Sequence, residues 1–170
     1  MSRRRKYTVS FEVPPAKIHQ DLTSREYWEA LIEVYLRFAP SEITSYRTDD
    51  AGTDVEFVHT LPRSHLPPVA RHALPIDVVV TRRQHLDNFD HARNRAAGTY
   101  SASIPHAPGR LSGRHLLTET DFGSSLEFDS VCKVWVPLIG GSVEQMIIDG
   151  ITDLFDGERE FTADWIAKHH

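Results

Sequence analysis

Residues 135–147, WVPLIGGSVEQMI, change hydrophobic period with no loop between the two patterns. Upstream, LEFDSVCKVWV (126–136) alternates, with Leu126, Phe128, Ser130, Cys132, Val134 and Val136 on one face, as a half-buried strand does. Downstream, Val143, Met146, Ile147, Ile151, Leu154, Phe155, Phe161 and Trp165 recur every three or four residues. That spacing predicts a helix over about 141–167, some ~40 Å long at 1.5 Å per residue. Gly150 and Gly157 weaken it by up to about 1 kcal/mol each relative to alanine. Gly140 and Gly141 supply unusual backbone angles or close approach at the joint. A strand that hands over at once to so long a helix must lay that helix back across its own sheet.

The rest of the chain says what that sheet contains. YTVSFEV (7–13) sets Val9, Phe11 and Val13 on one face and stops at Pro14-Pro15. Ser24 is placed to cap REYWEALIEVYLRF, whose Trp28, Leu31, Ile32, Tyr35, Leu36 and Phe38 form a helical stripe ending before Pro40. SEITSYRT and TDVEFVHTL read as two strands joined by a turn at 49–52. Pro62, Pro67, Pro68 and Pro75 exclude residues 62–75 from any central strand, so this segment reads as an insertion with a short helix near 69–74. Short alternating runs at 76–86, 99–105, 110–119 and 126–136, broken by Gly, Asp, Asn or Pro, then make an antiparallel meander. The expected class is α+β, a curved seven-stranded antiparallel sheet wrapped around a long C-terminal helix. A single domain would span 7–168, preceded by a solvated basic tail, MSRRRK (1–6).

This order of elements resembles the START-like, birch-pollen-allergen-like helix-grip superfamily, which includes polyketide cyclase-like proteins. More narrowly, VPLIGGSVEQMI followed by EREFTADWI, the LP insertion after the third strand and GTYSASIPHAPGRLSG resemble a mostly actinobacterial branch of unknown function. The resemblance runs from about Tyr7 to Ile166, and VPLIGG-x-x-E is its most specific part. It implies a cavity for an apolar molecule between helix and sheet, and no particular reaction.

Charge and motifs narrow the partners. A net charge of -5 and a pI near 6.0 leave no global field for nucleic acid. No run approaches the roughly 18–20 apolar residues of a membrane helix, so no stable membrane insertion is expected. The one cysteine, Cys132, cannot form an internal disulfide, which suits a cytoplasmic setting. G-x-S-x-G, P-loop and G-x-G-x-x-G sequences are absent, and no cofactor is called for. The terminal His pair is set aside as native or tag-derived.

Strand alternation nominates Phe57, His59, Tyr100, Ile104, His115, Phe128, Ser130 and Cys132 as cavity residues, faced by Met146, Ile147, Ile151 and Leu154 from the helix. Such residues more often fill a solid core. His59 and His115 are candidates for acid-base work, although a buried histidine is more often a hydrogen-bonded structural residue than a catalyst. Cys132, on a central strand, reads as an inert thiol. Leu66, Val69, Ala70 and Leu74, set among prolines, suit a lid or portal and equally a packed loop. His85, Asp87, Asp90 and His91 match no metal-site spacing, so no metal is expected. Asp149, Asp153, Asp156 and Glu158 read as a solvated helix face.

The leading expectation is a noncatalytic binder of a hydrophobic or lipid-like small molecule. A cyclase- or dehydratase-type enzyme using the same cavity, with His59 or His115 as acid-base group, is a second reading. The third is an interaction module with a filled core, in which Val131 and Trp135 on the outer face make a homodimer or partner patch.

Overall fold

The structure is a computed structural model. It describes residues 2–73 and 76–170, without the side chains of Val69, Ala70 and Ala73. Strand β1 (Arg3–Phe11) leads through helices α1 (Pro15–Leu22) and α2 (Arg25–Tyr35) to β2 (Ser41–Asp49) and β3 (Gly52–Leu61). A 3-10 turn (Arg63–His65) and the short α3 (Pro68–Ala73) precede β4 (Val78–Leu86), β5 (Arg95–Ser103), β6 (Gly109–Thr120) and β7 (Gly123–Val134), and α4 (Gly140–His169) closes the chain. The seven strands form one antiparallel sheet in the order β1-β7-β6-β5-β4-β3-β2. One face of it carries α1, α2 and α4, with α4 lying along β7 and β1. This is the helix-grip α+β arrangement expected from the joint.

The joint itself is built from one glycine and one carboxylate. A Cβ on Gly140 would lie 2.9 Å from the Val134 carbonyl oxygen, so the first helical residue passes too close to the end of β7 for a side chain. Gly141 has no such neighbour. Glu144, only 2 % exposed, accepts the Val134 backbone N–H at 2.9 Å. It thus satisfies the last donor of the strand from the first turn of the helix. The non-glycine Leu138 takes the positive φ, 69°.

Two expectations are corrected, and one helix is added. The sheet begins at Arg3, inside the run read as a solvated tail. Arg3 and Arg5 point toward α4, bonding the Gly141 carbonyl at 3.2 Å and Asp149 at 2.9 Å, while Arg4 faces outward near Asp129. Alternating cations can extend a strand when its inward members find helix partners. Residues 15–22 form α1, whose Ile18 is fully buried; its eight residues are too short for the periodicity to stand out. Strand β7 ends at Val134, so Trp135 belongs to the joint and shares no sheet-face patch with Val131.

Candidate functional site

Cross-strand pairing sets the inner face. Tyr100 on β5 lies opposite Gly113, and His115 on β6 opposite Gly98. Each ring covers the neighbouring glycine: a Cβ on Gly113 would meet the Tyr100 ring at 2.3 Å, and one on Gly98 would meet the His115 ring at 2.3 Å. Two large rings therefore lie flat on the sheet where any other residue would lift them off. Phe155 of α4 stacks on Phe128 at 4.6 Å and meets Tyr100 edge-on at 6.0 Å. Tyr7 leans on both phenylalanines and donates its hydroxyl to Asp156 at 2.5 Å. Tyr100 and Ser130 share a short hydroxyl–hydroxyl bond.

Beside this aromatic cluster is a cavity of about 60 Å³ under α4, with Tyr7, His115, Phe128, Phe155 and Glu158 in its wall and Ile18, Leu31 and Leu126 among the apolar residues that line the rest. It has room for a few waters and none for a lipid chain, since ligand pockets run to roughly 300–1,000 Å³. Glu158 connects it to a buried ionic cluster. The Arg82 guanidinium, on the inner face of β4, donates to Glu158 at 2.7 Å and to the Tyr35 hydroxyl at 3.1 Å, and Tyr35 itself donates to Glu158. Arg82 also lies over the Phe57 ring, 4.8 Å from its centroid. Burial and the neighbouring carboxylate push the Tyr35 hydroxyl far up, so it stays protonated.

His59 lies beyond that cluster, its ring 4.5 Å from Tyr35. Ser41 donates its hydroxyl proton to the Ala39 carbonyl, so the 2.7 Å contact between Ser41 Oγ and His59 Nδ1 is an Nδ1–H donation. That assignment leaves Nε2 a bare acceptor. Among the described residues it is the buried side-chain polar atom without a hydrogen-bond partner. Burial, reinforced by Arg82, pushes the His59 pKa down to about 4. Burial likewise pushes His115 to about 4, against a hydrogen bond with the His85 backbone. Both rings are neutral at pH 7.

The nominated residues separate accordingly. Phe57, His59, Tyr100, His115, Ser130, Cys132 and Ile151 are buried; Phe128 and Ile147 are half-buried and packed into the aromatic cluster. Of the twelve, His115 and Phe128 line the cavity. Ile104 is half-buried in the loop after β5. Met146 and Leu154 are also half-buried and fall out of phase with the buried stripe Glu144, Ile148, Ile151, Phe155 and Thr162. Burial raises the Cys132 thiol to about 11, which makes it unreactive. Leu66 is half-buried, whereas the Val69 side chain and Leu74 lie outside the described residues. His85 is engaged through both nitrogens, by Asp54 at 2.7 Å and Asp87 at 3.1 Å.

Missing from the nominations were Arg82, Tyr35 and Glu158. Arg82 is in phase with Val78, Val80 and Leu86, but the unbroken valines of VVV hide the alternation. The acidic face of α4 is not free in solvent either: Asp149, Asp156 and Glu158 bind Arg5, Tyr7 and Arg82.

A family described as "Protein of unknown function (DUF2505)" matches residues 6–166. The chain belongs to this family. Similar in sequence to this family member are uncharacterized protein Rv0481c of Mycobacterium tuberculosis and Mb0491c of Mycobacterium bovis, each 26% identical over 175 residues and covering 99% of both chains. Among solved structures it resembles protein Ms6760 from Mycobacterium smegmatis, with a TM-score of 0.60 and 12% identity over 98% of this chain and 92% of that one. Ara h 8.0201 superposes with a TM-score of 0.58 at 12% identity, covering 99% and 100%. Norcoclaurine synthase from Thalictrum flavum, in complex with dopamine and hydroxybenzaldehyde, gives 0.57 at 10%, covering 100% and 89%. At these identities the likeness establishes a birch-pollen-allergen-like helix-grip fold, and the family remains one of unknown function.

Proposed function

We propose that this protein binds a small, mainly apolar molecule carrying one O–H or N–H donor in the groove between the sheet and α4. The observation that carries the reading is His59 Nε2, a buried acceptor with no partner. Leaving such a group unsatisfied costs about 1–3 kcal/mol, which a bound donor would recover. The aromatic cluster supplies the apolar wall; His59 is outside the wall of the cavity of about 60 Å³, so uptake has to part α4 from the sheet at the Arg82–Glu158 pair and join the two spaces. Norcoclaurine synthase, of the same fold, holds two aromatic molecules, which supports ring-sized ligands over long acyl chains. The proline-rich insertion at 62–75 acts as the groove's portal, and shortening it should change uptake more than melting temperature. The setting is cytoplasmic and the family mostly actinobacterial; the single buried thiol and the mycobacterial relatives support these readings.

Binding is favoured over proton transfer, because a histidine with a pKa near 4 is a poor base at pH 7. Uptake of N-phenylnaphthylamine, an apolar fluorophore with one N–H, tests the proposal. Saturable one-to-one binding that weakens about tenfold in His59→Phe, at unchanged fold, is expected, since a lost hydrogen bond is worth about 1.4 kcal/mol. Absence of saturable uptake, or equal uptake by the variant, would contradict it.

A further inference from the structure

The antiparallel order gives the molecule two poles. The connections α2–β2, β3–β4, β5–β6 and β7–α4 lie at one; the β2–β3, β4–β5 and β6–β7 turns lie at the other. Apolar exposure is gathered at the first pole. Leu36 and Phe38 follow α2, Ile76 and Val79 flank the start of β4, and Trp135, Leu138 and Ile139 occupy the joint, with the Leu138 side chain fully exposed. Phe122 is the exposed large apolar residue at the other pole among those described.

Charge divides in the same way. Residues 36–41, 61–78, 103–110 and 133–143 carry Arg37, Arg63, Arg71, Arg110 and Lys133 against a single acid, Asp77, in a chain of net charge -5. The opposite turns at 48–53, 87–94 and 119–123 carry Asp49, Asp50, Asp87, Asp90, Glu119 and Asp121 against a single base, Arg93. A basic, apolar end on an acidic protein is an oriented dipole.

We propose that the first pole docks peripherally on the surface of an anionic lipid bilayer. The apolar side chains are tips on separate connections. A folded acidic partner would need several matching pockets to receive them, whereas the fluid boundary of a bilayer needs none. A second copy is disfavoured as occupant, because the two poles would present like charges to each other. Trp135, half exposed with the Lys133 ammonium 5.4 Å from its ring, has the apolar body and cationic neighbour suited to the headgroup region. No described helix is long and apolar enough to cross, so the contact is interfacial. The acidic turns point away from the anionic leaflet and fix the orientation. None of this requires a ligand in the groove, so the docking stands or falls independently of the binding reading.

Cosedimentation of the full chain with vesicles of phosphatidylcholine, alone or mixed with phosphatidylglycerol, tests it. Binding to the mixed vesicles only, weakened by salt, is expected. Arg37→Gln with Arg110→Gln should cost roughly twenty-five-fold in partitioning, about fivefold per cation. The triple variant Trp135→Ser, Leu138→Ser, Ile139→Ser should lose binding, while Phe122→Ser at the acidic pole should not. If the triple variant melts abnormally, Leu138→Ser alone serves, its side chain being fully exposed. No partitioning, equal partitioning into both vesicles, or binding that survives loss of the apolar tips overturns the proposal. So does retention on immobilised polyglutamate without retention on vesicles, which would assign the pole to an acidic protein. Vesicle binding with no uptake of N-phenylnaphthylamine would uphold the docking and remove the ligand reading.

Discussion

Replacing Glu158 by leucine should damage the protein more than its place on an acidic helix face suggests. The change strips the carboxylate from a guanidinium that is 6 % exposed and removes the acceptor of the Tyr35 hydroxyl. Breaking a buried pair from one side costs about 3–5 kcal/mol. The Glu158 side chain is 19% exposed, so water offsets part of this and the lower end, about 3 kcal/mol, is expected. For a chain of this length that is a fall of roughly 6–12 °C in melting temperature. Arg82→Met should cost less, because Glu158 is the partner with access to solvent and methionine fills the guanidinium's space apolarly. The double variant Arg82→Met, Glu158→Leu should recover most of the loss, with a coupling of about 2–3 kcal/mol in a cycle measured by urea unfolding. A loss below about 1 kcal/mol in Glu158→Leu, or a double variant as unstable as the sum of the singles, would refute the claim that this pair fastens α4 to the sheet.

Acidification should weaken the fold before carboxylates protonate. His59 and His115 have folded pKa values near 4 against 6.5 unfolded, so between those values the unfolded chain binds more protons. Stability is then complete above about pH 6.5 and falls as pH drops toward 4, by up to roughly 3 kcal/mol per histidine. His85, held up by Asp54, acts in the opposite sense, stabilising at low pH and losing that contribution as pH rises through its folded value. Melting curves should show a net loss that His115→Phe reduces, and a flat profile from pH 7 to 4 would exclude it. Gly113→Ala should cost roughly 1–3 kcal/mol through contact with the Tyr100 ring and the Asp129 carbonyl. Wild-type unfolding would show that the ring does not lie on the glycine. Glu144→Ala should cost about 1–3 kcal/mol by leaving the Val134 N–H without its acceptor, whereas Glu144→Gln, which keeps a carbonyl oxygen, should cost less; equal losses would point to charge instead.

The fold was legible because its signals are periodic. Alternation at 53–61 and 126–134, the change of period at 140 and the prolines at 62–75 each carry one structural meaning, and together they allow one architecture. The site was legible only in part. Alternation placed His59, Tyr100 and His115 on the inner face, but it cannot show that two glycines seat the rings or that Ser41 orients His59, because those contacts join residues far apart in sequence. Arg82 and Glu158 were hidden for the same reason. A charged side chain at an inward position reads as an exception until its partner, 76 residues away, is seen beside it. Arg3 and Arg5 show the converse: a basic run resembles a tail until a helix supplies the carbonyl and carboxylate it bonds.

Native mass spectrometry of the gently purified protein, followed by denaturation and identification of any released molecule, tests the central claim most directly. The account predicts one apolar adduct per chain, carrying an O–H or N–H group and retained less by His59→Phe than by wild type. A bare mass that stays bare after incubation with N-phenylnaphthylamine would contradict it and leave a helix-grip fold with a filled core.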